Sequence, residues 1–242
     1  MSGVGAKLAL VLGGLAELLF PSGCAGCRAA ARGLFCADCS GLVEALPAWR
    51  CPRCAGNLPP PLARGARPFL CSSCAVALPA FDLVIAPFVY GGPVAQAVRR
   101  LKYRGARSLA MRLASAMAAA GAEVLRGADA VVPVPLHPAR RRERGFDQAL
   151  LLARGVASEA RLPCLGRALA RIRPGGHQVG RGREERSAAV AGAFCARGDL
   201  SGLSIVLVDD VVTTGATAGA AAQALREAGA ARVAVLAVAR AL

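Results

Sequence analysis

The stretch Ile205-Val-Leu-Val-Asp-Asp-Val-Val-Thr-Thr-Gly-Ala-Thr-Ala218 decides the reading of this chain. Its apolar start, Leu203 to Val208, predicts a strand buried on both faces, as in a parallel sheet. The run ends in two adjacent carboxylates, Asp209 and Asp210. It then passes through Thr213-Thr214-Gly215-Ala216-Thr217 into an Ala-rich helical segment, Gly219 to Ala228. Gly229 stands where a left-handed residue closes a helix. In an open α/β sheet, ligands sit beyond the carboxyl ends of the strands. Here that edge offers anions that accept hydrogen bonds from sugar hydroxyls, directly or through a metal. It also offers hydroxyls and a helix N-terminus, which attract phosphate, and Gly215 lets the backbone approach closely. A ribose 5-phosphate satisfies both ends. Paired carboxylates have no packing reason at a strand end, and turns seldom need three threonines around one glycine. No G-x-x-x-x-G-K-[ST] motif occurs, and neither Gly180-Arg-Gly182 nor Gly13-Gly14 follows a strand with the third glycine of a dinucleotide fingerprint.

The 242 residues allow one or two domains, and 55% hydrophobic content with only 4% aromatic content implies a large core of Ala, Leu and Val. Net charge is +15, which favours phosphorylated ligands or nucleic acid as partners. Only Lys7 and Lys102 of the 30 basic residues are lysine, so arginine usage here reflects composition more than selection for a site. Leu8, Leu12, Leu15 and Leu19 follow helical spacing, and Glu17 interrupts the apolar run before Cys24. That segment reads as a short amphipathic helix rather than a targeting peptide. No run approaches the ~20 apolar residues of a membrane span. A cytoplasmic protein is the expectation.

Eight of the ten cysteines form C-x-x-C pairs: Cys24/Cys27, Cys36/Cys39, Cys51/Cys54 and Cys71/Cys74. Eight residues separate the first two pairs and sixteen the last two. Each C-x-x-C turn aims two thiolates at one centre, so the pairs predict two closed, structural Cys₄ zinc sites. Consecutive and interleaved pairings both remain open. Disulfides are disfavoured without a secretion signal, and redox chemistry does not need four pairs. Cys164 and Cys195 stand alone and read as small buried hydrophobes.

The ribbon segment ends near Pro79, so residues 1–79 form a zinc-ribbon domain and 80–242 a second domain. In the second, strands are expected at Asp82–Tyr90, Ala130–Pro135, Leu203–Val208 and Arg232–Val238. Helices are expected at Val94–Tyr103, Ser108–Leu125, Asp147–Glu159 and after Gly215. This alternation predicts an α/β fold with a mainly parallel sheet covered on both faces.

The 205–218 string resembles the phosphoribosyl-pyrophosphate (PRPP) signature of type I phosphoribosyltransferases. Further stretches extend the likeness: Leu101-Lys-Tyr103, Val132-Pro-Val-Pro-Leu136, Arg144-Gly-Phe-Asp-Gln148, Gln178, Arg186 and Gly192-Ala-Phe194. With the four C-x-x-C pairs, nearly the whole chain resembles the ComF (GntX-like) family of competence proteins. The resemblance implies a type I phosphoribosyltransferase-like domain preceded by a double zinc ribbon. It implies that Asp209 and Asp210 hold the ribose hydroxyls as catalytic residues and that Thr213, Thr214, Gly215, Ala216 and Thr217 wrap the 5-phosphate. Leu136, His137, Lys102 and Arg144 become candidates for pyrophosphate, with Arg104 and Arg140–Arg142 nearby. Residues 173–187, including His177 and Gln178, read as a basic flap over the ligand. Two departures stand out: Asp147 where the family usually has Asn, and Arg186-Ser-Ala-Ala-Val190 where Asn is frequent. Asp147 still suits a helix N-cap. Two functions follow as expectations. One is a Mg²⁺-dependent phosphoribosyltransferase acting in DNA uptake or nucleotide handling. The other is a non-catalytic factor that binds single-stranded DNA and other uptake proteins, with PRPP as a regulatory ligand.

Overall fold

The computed structural model describes residues 23–61, 66–104, 107–173 and 192–242. The expected amphipathic helix, His177, Gln178, Arg186 and the flap beyond Arg173 fall outside them.

A parallel sheet is built around β6 (Ser204–Val212) and β7 (Arg232–Arg240). β3 (Ala130–Pro133) flanks β6, and β1 (Leu83–Ile85) flanks β7, giving the order β1-β7-β6-β3. β2 (Phe88–Val89) continues β1 along the same edge of β7. One strand was expected over 82–90. Pro87 falls between the two pieces, and a proline cannot donate to the ladder. A second, two-stranded sheet, the hairpin of β4 (Leu169–Arg171) with β5 (Phe194–Ala196), is antiparallel and lies outside the main sheet.

Among the described residues the helices run in chain order. α1 (Ala37–Ser40) and α2 (Ser72–Val76) belong to the cysteine-rich segment. α3 (Gly92–Arg104), α4 (Arg107–Ala120) and α5 (Ala122–Arg126) follow β2. α6 (Pro138–Arg144) and α7 (Gln148–Ala160) follow β3, and α8 (Ala216–Glu227) joins β6 to β7. The single helix expected over 108–125 is broken at Gly121, where an added Cβ would stand 3.1 Å from both Leu236 δ-carbons. The close approach to β7 sets the break.

Side chains alternate across β6, so each sheet face has its own core. Ile205 and Leu207 pack with Ala218, Ala221, Ala222 and Leu225 of α8. Val206 and Val208 pack with Ala97, Val98 and Leu101 of α3, Leu113 and Met117 of α4, and Leu152 and Val156 of α7. The cysteine-rich segment has no separate core among these residues. Cys51, Cys54, Ala55 and Cys74 belong to the first cluster and Ala25 to the second.

Gly229 follows the Ala228 cap of α8 with φ +95°, as the sequence led one to expect. A Cβ there would lie 2.6 Å from Ser201 Oγ and 2.9 Å from Ser201 Cα. Gly229→Ala is therefore expected to lower stability by about 1–3 kcal/mol, read by urea denaturation. An unchanged midpoint would show that the turn relaxes freely.

Candidate functional site

β6 runs four residues further than its apolar stretch suggests, so both carboxylates sit inside the strand, with Asp209 in register with Ala237. Alternation sends them to opposite faces. Asp210 turns to the α3/α7 side and is buried. One of its oxygens meets Lys102 Nζ at 3.0 Å, and the other accepts from Gln148 Nε2 at 2.9 Å. Gln148, itself buried, accepts from Arg144 Nη1 at 3.2 Å. Arg144 in turn lies 5.5 Å from the Tyr103 ring centroid, as a cation over an aromatic face. Burial works against the Lys102 charge, but Asp210 and Asp209 outweigh it and hold the ammonium above its ordinary range. The structure thus joins Lys102, Arg144 and Asp210 in one network through Gln148.

Asp209 continues the other face, toward α8 and the β4–β5 hairpin, and its backbone-linked neighbour Asp210 donates its N–H to Asp209 Oδ1 at 2.7 Å. Across from it, Arg171 stacks over Phe194 at 5.3 Å, and its buried Nε has no hydrogen-bond partner among the described residues. Burial lowers the Arg171 pKa, while the charge of Asp209 works the other way. Burial, and then the adjacent Asp210 charge, push the Asp209 carboxyl up to about 8. An acid with a raised folded pKa takes up a proton on folding. Its contribution to stability is present below pH ~4, falls as pH rises, and is lost above the folded value. Asp209→Asn is expected to flatten the stability decline between pH 5 and pH 9 in denaturation curves. A decline of the same slope in the variant would assign it to another group.

The Thr213–Thr217 loop turns the chain from β6 into α8. Gly215 has φ +82° as the N-cap of α8, a conformation that side chains with a Cβ rarely adopt. Ala216 N–H donates to Thr214 Oγ1 at 3.3 Å. α8 starts four residues after the end of β6, so the first-turn N–H groups of this twelve-residue helix stand at the carboxyl end of the strand that carries the carboxylates. Beneath the loop, buried Phe81 approaches the side of Gly215 on which a Cβ would stand. A cleft of about 890 Å³ between α2 and α8 reaches Thr214, Gly215 and Ala216, but neither carboxylate lines it. The two aspartates connect to the loop along β6, not through this cleft.

The remaining candidates lie at the end of β3. Leu136 N–H donates to Asp147 Oδ2 at 3.1 Å, and Asp147 Oδ1 accepts from Leu150 N–H at 3.2 Å. Asp147 is thus the N-cap of α7, in keeping with its residue type. His137 caps α6, its Nδ1 accepting from Ala139 N–H at 3.3 Å. Arg140, Arg141 and Arg142 lie on that short helix, none of them buried. Gln148 and Arg171 stand beside the two carboxylates, and sequence reading gave them no individual role. The signal for Gln148 was its place beside Arg144 in one motif. Arg171 stands just before the basic 173–187 stretch, where one more arginine carries no distinct signal.

The cysteines gather as Cys24, Cys27, Cys36 and Cys39, and as Cys51, Cys54, Cys71 and Cys74, each set with its sulfurs within 4.8 Å of one another. The pairing is consecutive. Cys27 Sγ is 3.6 Å from Cys36 Sγ, and Cys54 Sγ is 3.6 Å from Cys71 Sγ, as expected of ligands sharing a tetrahedral ion. Backbone N–H groups of Cys36 and Cys71 donate to Cys24 Sγ and Cys51 Sγ. Burial raises the Cys24 and Cys51 pKa, but backbone N–H donors outweigh it and hold them near 6 and 7. Burial and neighbouring thiols push Cys39 up to about 12 and raise Cys74 as well. Four crowded thiols cannot all ionise without a cation, so each cluster has the donor set and spacing to hold zinc. Of the two lone cysteines, Cys164 is half-buried and Cys195 is exposed, against the expectation that both are buried. Cys195 lies on the small β4–β5 hairpin, outside both cores.

Among the described residues no helix is long and apolar enough to cross a membrane. Residues 103–241 match the phosphoribosyl transferase domain family. The DNA utilization protein YhgH of Salmonella typhimurium is 31% identical over 198 residues, covering 79% of this chain and 84% of that protein. Competence protein F of Haemophilus influenzae is 28% identical over 71% of this chain and 78% of its own length. Competence protein ComFC of Bacillus subtilis is 30% identical over 59% and 57% respectively. With its parallel sheet, its loop at the end of β6 and its paired four-cysteine clusters, this chain belongs to the phosphoribosyl transferase domain family, as a member of the ComF type.

Proposed function

We propose that this chain binds PRPP with Mg²⁺ at the carboxyl edge of β6 and uses it for phosphoribosyl transfer in DNA uptake or nucleotide handling. The observation that carries this reading is the Thr213–Thr217 loop, which opens α8 directly beside Asp209 and the Asp210–Lys102 pair. The first-turn N–H groups and threonine hydroxyls hold the 5-phosphate. Asp209 accepts from the ribose hydroxyls and, where the cation that accompanies the ligand draws off the proton that burial holds on it, offsets positive charge developing on the ring. Lys102, Arg144 and Arg171 supply positive charge for the pyrophosphate, and Arg171 brings an Nε without an acceptor among the described residues. Leu136 and His137 border the same strand end. When bound, Mg²⁺ neutralises pyrophosphate charge. The bond from ribose C1 to pyrophosphate breaks, one to an acceptor nitrogen forms, and the nitrogen gives up its proton. Catalysis is then positioning and electrostatic stabilisation of the leaving group. Two zinc ions, one per cysteine cluster, are structural.

A ligand that binds only the folded state raises its melting temperature. PRPP with Mg²⁺ is expected to do so here, and Asp209→Asn with Asp210→Asn is expected to abolish the shift. A full shift in the double variant would move the sugar elsewhere.

Net charge +15, and relatives named for competence and DNA utilization, also support a second reading in which single-stranded DNA is bound directly and PRPP regulates. Affinity that falls steeply with salt and survives the double Asp substitution would favour it. Weak affinity at physiological salt would favour the enzyme.

A further inference from the structure

Arg240, the last residue of β7, is 4% exposed. The acceptors that its guanidinium reaches are backbone carbonyls. Nε donates to Cys54 O at 2.8 Å, and Nη1 donates to Val212 O at 3.2 Å and to the Thr213 and Ala241 carbonyls. Cys54 is the second thiol of the Cys51–Cys54 turn, and Val212 and Thr213 lead from β6 into the hydroxyl-rich loop. One planar side chain therefore spans a thiolate cluster and the candidate phosphate loop.

The charge of this arginine also needs an explanation. A buried cation surrounded by neutral carbonyls is costly unless negative charge lies close by. Zn²⁺ among four thiolates carries a net charge of about −2. The geometry brings that charge near: a Cβ on Gly56 would stand 3.2 Å from Cys54 Sγ and 3.3 Å from Arg240 Nη2, so sulfur and guanidinium flank one point that only glycine leaves clear. The first cluster is held differently. Arg100 of α3 donates to the Cys24 and Ala25 carbonyls, and Arg112 of α4 donates to those of Gly23 and Gly33. None of these contacts reaches the loop.

We propose that Arg240 is a positioning residue that couples the second thiolate cluster to the Thr213–Thr217 loop, so that the loop takes its phosphate-binding shape when that cluster holds its metal. The inference rests on reading the loop as the 5-phosphate cradle. A lysine keeps the charge but lacks the rigid fork that reaches several carbonyls together. Coupling between two binding sites is reciprocal, so sugar phosphate should also strengthen metal retention.

The test compares wild type, R240M and R240K with R112M as a control in the full chain. Three quantities are measured: hydrogen exchange across residues 213–218, ribose 5-phosphate affinity, and zinc transfer to a chromogenic chelator with and without ribose 5-phosphate. In R240M the loop should exchange faster while β6 and β7 stay protected, and affinity should fall roughly tenfold or more, as when a charged hydrogen bond is lost. Ribose 5-phosphate should slow zinc release in wild type and R112M and lose that effect in R240M. R240K should fall between, and it decides the question if R240M does not fold. Loop exchange in the Arg240 variants equal to that of R112M would overturn the coupling. Absence of ribose 5-phosphate binding in wild type would instead defeat the functional reading, with loop exchange still judging the coupling.

Discussion

Cys54→Ser should unfold far more than the cysteine-rich segment. A separate ribbon domain ending near Pro79 would lead one to expect the sheet to survive loss of a zinc ligand. The packing points the other way. Cys51, Cys54 and Cys74 are buried in the same cluster as Val84, Leu207 and Leu225, and Cys54 O is bound by Arg240 of β7. Arg53, inside the same C-x-x-C turn, donates to Pro79 O at 3.0 Å and lies 3.6 Å from Asp82. Asp82 accepts from Arg226 of α8 with both oxygens at 2.7 Å. Structural zinc sites in small peptides contribute roughly 10–16 kcal/mol at neutral pH, comparable to the ~5–15 kcal/mol that holds a whole domain folded. Circular dichroism of the variant, or of wild type stripped by chelator, should show loss of the cooperative α/β transition. A sheet that still melts as in wild type would mean that the knuckle only decorates it.

The second large effect is expected at Lys102. Lys102→Met keeps the aliphatic stem but strands the Asp210 carboxylate, whose side chain is only 7% exposed, with Gln148 as its remaining side-chain partner. Breaking a buried pair from one side costs about 3–5 kcal/mol, chiefly through the unpaired charge left behind. The side chain of Lys102 is 27% exposed, so the lower end, about 3 kcal/mol, is expected. Adding Asp210→Asn should recover part of the loss, because an amide carries no charge and can still accept from Gln148. Equal stability of wild type and Lys102→Met in denaturant titrations would leave Lys102 as a ligand contact alone.

Much of this arrangement is legible in the sequence. The apolar run into Asp209 and Asp210 marks a buried parallel strand, and Gly215 and Gly229 mark both ends of the following helix, where the observed φ values are +82° and +95°. The C-x-x-C spacing marks both thiol clusters, although adjacent and interleaved pairing look alike until folding brings the sulfurs together. Other features depend on tertiary contacts that no local pattern encodes. β6 extends through Val212 because β7 pairs with it as far as Arg240. The β4–β5 hairpin is three residues per strand, too short for a period-2 signal to stand out. Arg240 is one arginine among many in the sequence, and only its burial between Cys54 and Thr213 sets it apart. Lys102 and Arg144 were both expected to face phosphate. Their connection through Gln148 and Asp210 appears only when α3, α6 and α7 converge on the end of β6.

The most direct test of the binding site is a crystal structure of this protein with PRPP and Mg²⁺. The expected result places the 5-phosphate against the N–H groups of Thr213–Thr217, the ribose hydroxyls at Asp209, and the pyrophosphate toward Lys102, Arg144 and Arg171. PRPP bound away from the β6 edge, or no PRPP bound in crystals soaked at high concentration, would contradict it.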